Sequence, residues 1–181
     1  QCVAMAAGVY GAIPAYAEGT DTGTDIQEQA AQWPTGPAVQ AASAIIMDAS
    51  TGTVLYEKDA DTPRYPASIT KIMTTLLALE NCNLDEMVHF SATAVYENEG
   101  GTSHIARDLD EEMTLEQCLY GIMLESANEC SYAVAEHVGG GDYQKFIDMM
   151  NAKAAELGCT NTHFNNCNGL PDPAHVVSAR D

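Results

Sequence analysis

The hydrophobic pattern of the chain changes from a strand-like period to a helical one. Ser43 to Met47 is a short apolar run, and Thr53 to Glu57 alternates around Val54 and Tyr56. The segment Asp48-Ala49-Ser50-Thr51-Gly52 between them has the composition of a turn. The pattern therefore predicts a β-hairpin at the start of the folded part of the chain.

A helical period follows a proline-bounded loop, Thr62-Pro63-Arg64-Tyr65-Pro66, in which helix is disfavoured. We expect four helices, the second opened by a capping box of Thr114 and Gln117 and the fourth by Asp142. The first is expected at about 67–80, the third at about 128–138 and the fourth at about 142–158, while the second begins at Thr114 and has an apolar stripe from Leu115 to Met123. Because an isolated two-stranded hairpin is only marginally stable in water, one hairpin beside a helical block is an unusual set of secondary-structure elements for a complete domain.

The first forty or so residues have a different character. Val3 to Ala17 is small, apolar and uncharged, and it ends in Ala15-Tyr16-Ala17, the small-x-small pattern that signal peptidase accepts. Residues 1–17 are therefore interpreted as the remainder of a secretory signal peptide, 18–40 as a linker and 41–181 as the folded domain of an exported protein. A short buried helix is the alternative for residues 1–17. Since the chain begins with Gln, we expect it to be cut at its start.

Charge and cysteine content narrow the classes of partner. The chain carries 26 acidic and 7 basic residues, and a net charge of −19 repels nucleic acid and anionic lipid surfaces, so we expect neither partner. The six cysteines and five histidines show no Cys-x-x-Cys, His-x-x-His or zinc-finger spacing, so no metal or other cofactor is expected. Cys118 and Cys130 fall in apolar helical patterns as small hydrophobes, whereas a Cys159–Cys167 disulfide stays open.

The first candidate for chemistry is the tetrapeptide Ser68-Ile69-Thr70-Lys71. Three residues along a helix turn through about 300°, so Ser68 and Lys71 share a face one turn apart. Burial among apolar neighbours lowers the pKa of a lysine, and a neutral amine can accept the proton of a nearby serine hydroxyl. The pair therefore fits an activated serine nucleophile. A helix cap beside a surface lysine is the competing interpretation.

The second candidate is Ser126-Ala127-Asn128, in the break between the second and third predicted helices. A second hydroxyl at this place can pass protons, and an asparagine amide offers a donor and an acceptor to a peptide-like substrate. The alternative is that Ser126 and Asn128 only cap the third helix, since both residue types cap well.

Together these segments resemble the low-molecular-weight penicillin-binding proteins that act as serine D-Ala-D-Ala carboxypeptidases. Pro66-Ala67-Ser68-Ile69-Thr70-Lys71 resembles the first motif of that family, and Ser126-Ala127-Asn128 resembles the second, S-x-N. Further family-like segments are Leu119-Tyr120-Gly121-Ile122-Met123-Leu124, residues 157–164, Asn168-Gly169-Leu170 and Ser178-Ala179-Arg180-Asp181. The likeness covers about Ser43 to Asp181, in the same order as in the family.

The resemblance implies a fold and a set of roles. The fold is the α/β (α+β) transpeptidase fold that the family shares with serine β-lactamases, represented by its hairpin and helical block. Ser68 would be the acylated nucleophile and Lys71 its general base. Ser126 would relay protons, and Asn128 would hold the substrate amide. The backbone N–H of Ser68 would be one oxyanion donor.

The resemblance also implies a reaction and its place. The enzyme would remove the terminal D-alanine of peptidoglycan stem peptides during cell-wall biogenesis, in the cell envelope or outside the bacterial membrane. β-Lactams would acylate the same serine, and the reaction needs no metal.

One departure from the family pattern matters. The third motif of the family, K-T-G, occurs nowhere in the 181 residues. In the family this motif lies on a strand that helps to bind the substrate carboxylate, and a neighbouring strand supplies the second oxyanion N–H. We therefore expect a truncated catalytic domain that is slow or inactive alone, with exposed apolar helix faces that favour self-association.

Three rival interpretations stay open. A class A β-lactamase shares S-x-x-K but needs a glutamate that activates the deacylating water, and the sequence assigns none. A non-catalytic domain that senses β-lactams or peptidoglycan would be acylated and turn over slowly. An inert fragment is the third rival.

Overall fold

The N-terminal hairpin forms around the predicted turn. In a computed structural model of the chain, which describes residues 36–97 and 101–181, β1 (Ala44–Met47) pairs antiparallel with β2 (Val54–Lys58). The Asp48 carboxylate accepts hydrogen bonds of 2.8 and 2.9 Å from the backbone N–H groups of Ser50 and Thr51. These bonds fold the turn locally, and the predicted hairpin is confirmed.

The helical block has five α-helices within the described part of the chain. Their bounds are α1 (Thr70–Asn81), α2 (Ala92–Tyr96), α3 (Leu115–Glu125), α4 (Asn128–Gly139) and α5 (Tyr143–Glu156). The capping box of α3 is present, since Thr114 Oγ1 accepts from Gln117 N at 3.3 Å and Gln117 Oε1 accepts from Thr114 N at 3.0 Å. Asp142 caps α5 through a 3.1 Å bond from Lys145 N. The four predicted helices are confirmed, and the short α2 is additional.

The first predicted helix begins differently from the expectation. Ala67–Ile69 form a turn of 3-10 helix, and the α-helix starts only at Thr70, whereas a start at Ala67 or Ser68 was predicted. The physical reason is the backbone of Ala67, whose φ of 49° is left-handed and incompatible with an α-helix. Ser68 therefore lies in the 3-10 turn, two positions before the first residue of the α-helix that carries Lys71.

A second small sheet was not predicted. β3 (Met87–His89) pairs antiparallel with β4 (Glu112–Thr114), and Val88 lies opposite Met113. Strands of three residues are too short to show an alternation of period two, and α2 separates the two partners along the chain. Val88 is fully buried, so this sheet closes one side of the core.

Two hydrophobic clusters pack against α4. One contains Phe90, Leu115 and Ile122, and the other contains Phe146 and Met150. Cys118 and Cys130 are fully buried free thiols in the first cluster, as predicted for small hydrophobes. By their contacts, residues 39–181 form one unit, in which α4 is the central helix.

The last described segment returns to the hairpin. Arg180 forms ion pairs of 2.6 Å with both Glu57 and Asp61, and Val177 pairs with Arg64 in an isolated antiparallel bridge. These contacts hold residues 165–181 across the start of α1. Beside them, an apolar groove of about 610 Å³ exposes Ile69, Ile72 and Leu157, and neither Ser68 nor Lys71 lines it.

The structure leaves the predictions for the N-terminus untested and answers the question about the Cys159–Cys167 disulfide. The signal segment 1–17 and most of the linker 18–40 lie outside the described residues and stay predictions. Within 36–97 and 101–181, no helix has the length and apolar character that a bilayer span requires. Cys159 and Cys167 are free thiols, so the disulfide that was left open is not formed.

Candidate active site

Three of the four predicted site residues meet at the start of α1. Ser68 Oγ lies 3.4 Å from Lys71 Nζ and accepts a 3.0 Å hydrogen bond from Ser126 Oγ. The two serines are 58 residues apart in sequence, so the fold itself brings them together. The structure thus places a serine hydroxyl between an amine and a second hydroxyl, while the catalytic roles stay a prediction. A separation of 3.4 Å is long for a proton transfer, but such contacts commonly shorten when substrate binds.

Lys71 is buried, which excludes the competing interpretation of a surface lysine. Its exposed fraction is 3%, and Nζ donates a 2.8 Å hydrogen bond to the backbone carbonyl of Asn168. Burial lowers the pKa of Lys71 from the usual 10.5 to about 8, against a smaller opposing influence from Cys167. With that pKa, roughly a tenth of the lysine is neutral at pH 7, compared with less than about one part in a thousand for an ordinary lysine. The amine is therefore available as a base near neutral pH.

The carbonyl that receives Lys71 belongs to a loop, residues 165–170, that is fixed by its own hydrogen bonds. Asn166 Oδ1 accepts from Gly169 N at 2.7 Å, and Asn166 Nδ2 donates to Leu170 O at 2.9 Å. Thr74, one turn beyond Lys71 on α1, donates a 2.6 Å bond to the carbonyl of Cys167. The loop is therefore held both internally and against α1, which fixes the Asn168 carbonyl over the amine.

His175 is a buried link between this loop and α1. Its Nδ1 accepts a 2.9 Å bond from Asn165 N, so Nε2 carries the proton and donates at 2.7 Å to Thr70 Oγ1. Burial lowers the pKa of His175 below its usual value. No sequence signal marks His175 for this role, since the five histidines are scattered along the chain.

A close backbone approach joins the loop to the turn that carries Ser68. Gly169 has a φ of 89°, and a Cβ added to it would lie 1.8 Å from the carbonyl oxygen of Ala67. Ala67 and Ser126 also have left-handed backbones, with φ of 49° and 57°. Such conformations are costly for residues other than glycine and persist where the surrounding contacts impose them. Both segments that present a serine are thus held in unusual conformations.

Asn128 lies at the first residue of α4 and is almost completely buried. The N-cap of α4 is Ala127, which has no side chain that can cap, so the alternative that Ser126 and Asn128 only cap this helix is wrong. Asn128 N donates to Ser103 O at 2.9 Å. The next residue, Glu129, accepts from Ile105 N at 2.6 Å. These bonds fix residues 103–105 against the break between α3 and α4.

No carboxylate joins the cluster of serines and lysine. Among residues 36–97 and 101–181, no Asp or Glu side chain is hydrogen-bonded or ion-paired to Ser68, Lys71 or Ser126. The arrangement therefore suits covalent catalysis in which a lysine amine, and not a carboxylate, accepts the proton of the serine.

Comparison with known proteins identifies a family for these residues. The sequence profile of the Peptidase_S11 family, described as D-alanyl-D-alanine carboxypeptidase, matches residues 27–181. The D-alanyl-D-alanine carboxypeptidase DacF of Bacillus subtilis is 39% identical over 78% of this chain and 37% of its own length. The D-alanyl-D-alanine carboxypeptidase of Streptomyces sp. (strain K15) is 35% identical over 97% of this chain and 58% of its own length.

A solved structure supports the same assignment of fold. The crystal structure of the D-alanyl-D-alanine carboxypeptidase DacD from Francisella tularensis is 34% identical and superposes with a TM-score of 0.74. The match covers 81% of this chain and 36% of that protein. The expected transpeptidase-type fold is therefore confirmed, and the chain spans between about a third and three-fifths of the length of these relatives.

The contact between Gly169 and Ala67 predicts the effect of adding one methyl group. We expect Gly169→Ala to lower the free energy of unfolding by at least ~1 kcal/mol more than Gly158→Ala, because only the first places a Cβ against backbone. Gly158 is a matched control, since its φ is 83° and nothing lies within 4 Å of a Cβ built on it. Denaturant unfolding of both variants measures the difference. Equal losses would show that the close approach is unimportant.

Proposed function

This chain belongs to the D-alanyl-D-alanine carboxypeptidase family, and we propose that its site removes the terminal D-alanine from peptidoglycan stem peptides. The observation that carries the proposal is the position of Ser68 Oγ, 3.4 Å from a buried lysine amine and 3.0 Å from the Ser126 hydroxyl. Because the chain covers only part of its relatives, the activity is proposed for the whole protein that contains these residues.

Acylation is the first chemical step of the proposal. Neutral Lys71 accepts the proton of Ser68, and the Ser68 oxygen attacks the carbonyl carbon of the penultimate D-alanine. The resulting oxyanion receives a hydrogen bond from the backbone N–H of Ser68. As the tetrahedral intermediate collapses, the C–N bond breaks and a proton passes from Lys71 through Ser126 to the leaving amine. Free D-alanine departs, and the rest of the peptide remains as an ester of Ser68.

Deacylation returns the enzyme to its starting state. Lys71, neutral again, accepts a proton from a water molecule that attacks the ester carbonyl. The Ser68 oxygen leaves and recovers its proton, and the shortened peptide is released as a carboxylate. Asn128, at the first residue of α4, holds the substrate amide during both steps.

A β-lactam ring contains an amide that the same serine attacks. The proposal therefore includes covalent labelling of Ser68 by penicillins, and it places the protein in the cell envelope, where its substrate lies. The class A β-lactamase rival needs a glutamate beside the serine and lysine, and the described residues place no carboxylate there. The sensing rival differs from the enzyme only in turnover.

The direct test uses the product of the complete reading frame that contains these 181 residues. We expect labelling by a fluorescent penicillin and release of D-alanine from a peptide ending in D-Ala-D-Ala. Ser68→Ala should lower both by at least about 1000-fold, because the nucleophile is lost. Ser50→Ala, in the exposed hairpin turn, is the control and should leave both unchanged.

Two results of that test would contradict the proposal. Undiminished labelling of Ser68→Ala would place the nucleophile elsewhere. Stoichiometric labelling without release of D-alanine would favour the sensing domain.

The pKa of Lys71 predicts how acylation depends on pH. Below about pH 8 most of the lysine is protonated and cannot act as a base, so the acylation rate constant should rise with pH around a midpoint near 8. Stopped-flow measurement of penicillin labelling between pH 6 and pH 10 gives the profile. Ser126→Ala should lower the rate by roughly 100-fold and keep the midpoint, because it removes the relay and not the base. A rate that falls with pH would exclude neutral Lys71 as the base.

A further inference from the structure

A second cluster of reactive side chains lies at the opposite end of α1. Cys82 follows the last residue of α1, Glu86 precedes β3, and His137 lies in the last turn of α4. Their ligand atoms, one from each side chain, all lie within 4.8 Å of one another. All three side chains are partly exposed, so an ion from solvent can reach them.

We propose that Cys82, Glu86 and His137 bind a divalent metal ion of the zinc type. A thiolate, an imidazole and a carboxylate are the three kinds of ligand that zinc takes from proteins, at about 2.3, 2.0 and 2.0–2.2 Å. Such bond lengths separate two ligand atoms of a tetrahedron by about 3.3–3.7 Å. In the structure the ligand atoms lie within 4.8 Å of one another, and Glu86 Oε2 and His137 Nε2 are 2.9 Å apart. To reach the tetrahedral geometry, these two atoms must separate by about 0.4 Å while the Cys82 sulfur approaches them, and water completes the fourth position.

The surroundings of Glu86 already orient its carboxylate toward the other two ligands. Oε1 accepts bonds from Asn83 N at 2.7 Å and from Asn83 Nδ2 at 3.0 Å. Oε2 is left to face His137 Nε2 at 2.9 Å. Bonds from neighbouring groups that fix a ligand in this way are a usual feature of metal sites. On binding, the metal replaces the proton that Oε2 and Nε2 share, and the Cys82 thiol releases its proton to solvent as it becomes a thiolate ligand.

The backbone also holds the thiol in place. Cys82 is the C-cap of α1, and its N–H donates a 3.0 Å bond to the carbonyl of Ala78. The three ligands therefore come from the end of α1, the approach to β3 and the end of α4, which a bound ion would tie together. No short sequence motif marks the site, because 51 residues separate Glu86 from His137.

The proposed site is separate from the reacting serine. Lys71 and Cys82 are 11 positions apart along α1, which corresponds to about 16 Å of helix. The role of the ion is therefore structural, and the proposed peptidase reaction proceeds without it. If the ion is absent, His137 and Glu86 form an ordinary hydrogen-bonded pair, which is the alternative that the experiment tests.

The test is a titration of the reduced, chelator-treated protein with Co²⁺, which reports a thiolate ligand through a charge-transfer absorption band. We expect one Co²⁺ per chain, displacement by Zn²⁺, and a higher Tm with Zn²⁺ than without it. Cys82→Ser should remove the band. Glu86→Gln and His137→Gln should each weaken binding more than about 10-fold, since losing even an outer partner of a ligand costs that much.

Matched controls come from the same chain. Cys159→Ser removes another partly exposed thiol, and His89→Gln removes a histidine that pairs with a carboxylate, Asp110, away from the cluster. Both should bind Co²⁺ like the unmodified protein, and circular dichroism without metal checks that every variant folds. Absence of the band in the unmodified protein, or its persistence in Cys82→Ser, would overturn the proposal. The proposal would also be overturned if Glu86→Gln and His137→Gln bound Co²⁺ as tightly as the unmodified protein.

Discussion

The burial of one lysine amine beneath one backbone carbonyl is the constraint on which the site depends. Lys71 Nζ is bonded to Asn168 O at 2.8 Å, and no described carboxylate compensates its charge. A charged amine is costly in such surroundings, so burial shifts the protonation equilibrium of Lys71 toward the neutral form. The same burial that makes the residue unfavourable for stability makes it a base near neutral pH. The free energy of protonating Lys71 therefore links the stability of the fold to the reactivity of the site.

This constraint also explains the unusual way in which α1 packs. The sequence shows a helix that is apolar nearly all round, yet its N-terminal half buries Thr70, Lys71 and Thr74 and exposes Ile72. Ile69, in the 3-10 turn before the helix, is also exposed. The polar side chains are buried because the loop of residues 165–170 and His175 offer acceptors and donors to each of them. The apolar side chains are left facing the open groove.

Local sequence signals predicted much of the fold, whereas the contacts between distant segments could not be predicted from them. The hairpin turn, the capping box of Thr114 and the i, i+3 relation of Ser68 and Lys71 each depend on neighbours in sequence. The β3–β4 sheet and the Asn168 carbonyl depend on residues that the chain brings together only on folding. Gly169 stood in a family-like segment, but only the structure shows that its missing side chain admits the Ala67 carbonyl. The resemblance to a family, and not periodicity, linked Ser126 to Ser68.

A direct titration of Lys71 tests the central claim that burial makes this amine a base. The chain has four lysines, Lys58, Lys71, Lys145 and Lys153, so NMR of isotopically labelled lysine side chains gives few signals. The signal that disappears in Lys71→Arg identifies the residue. Burial of the amine predicts that this signal titrates with a midpoint near pH 8. A midpoint at the ordinary lysine value of 10.5 would show that the amine is solvated and charged, and that Lys71 is not a base near neutral pH.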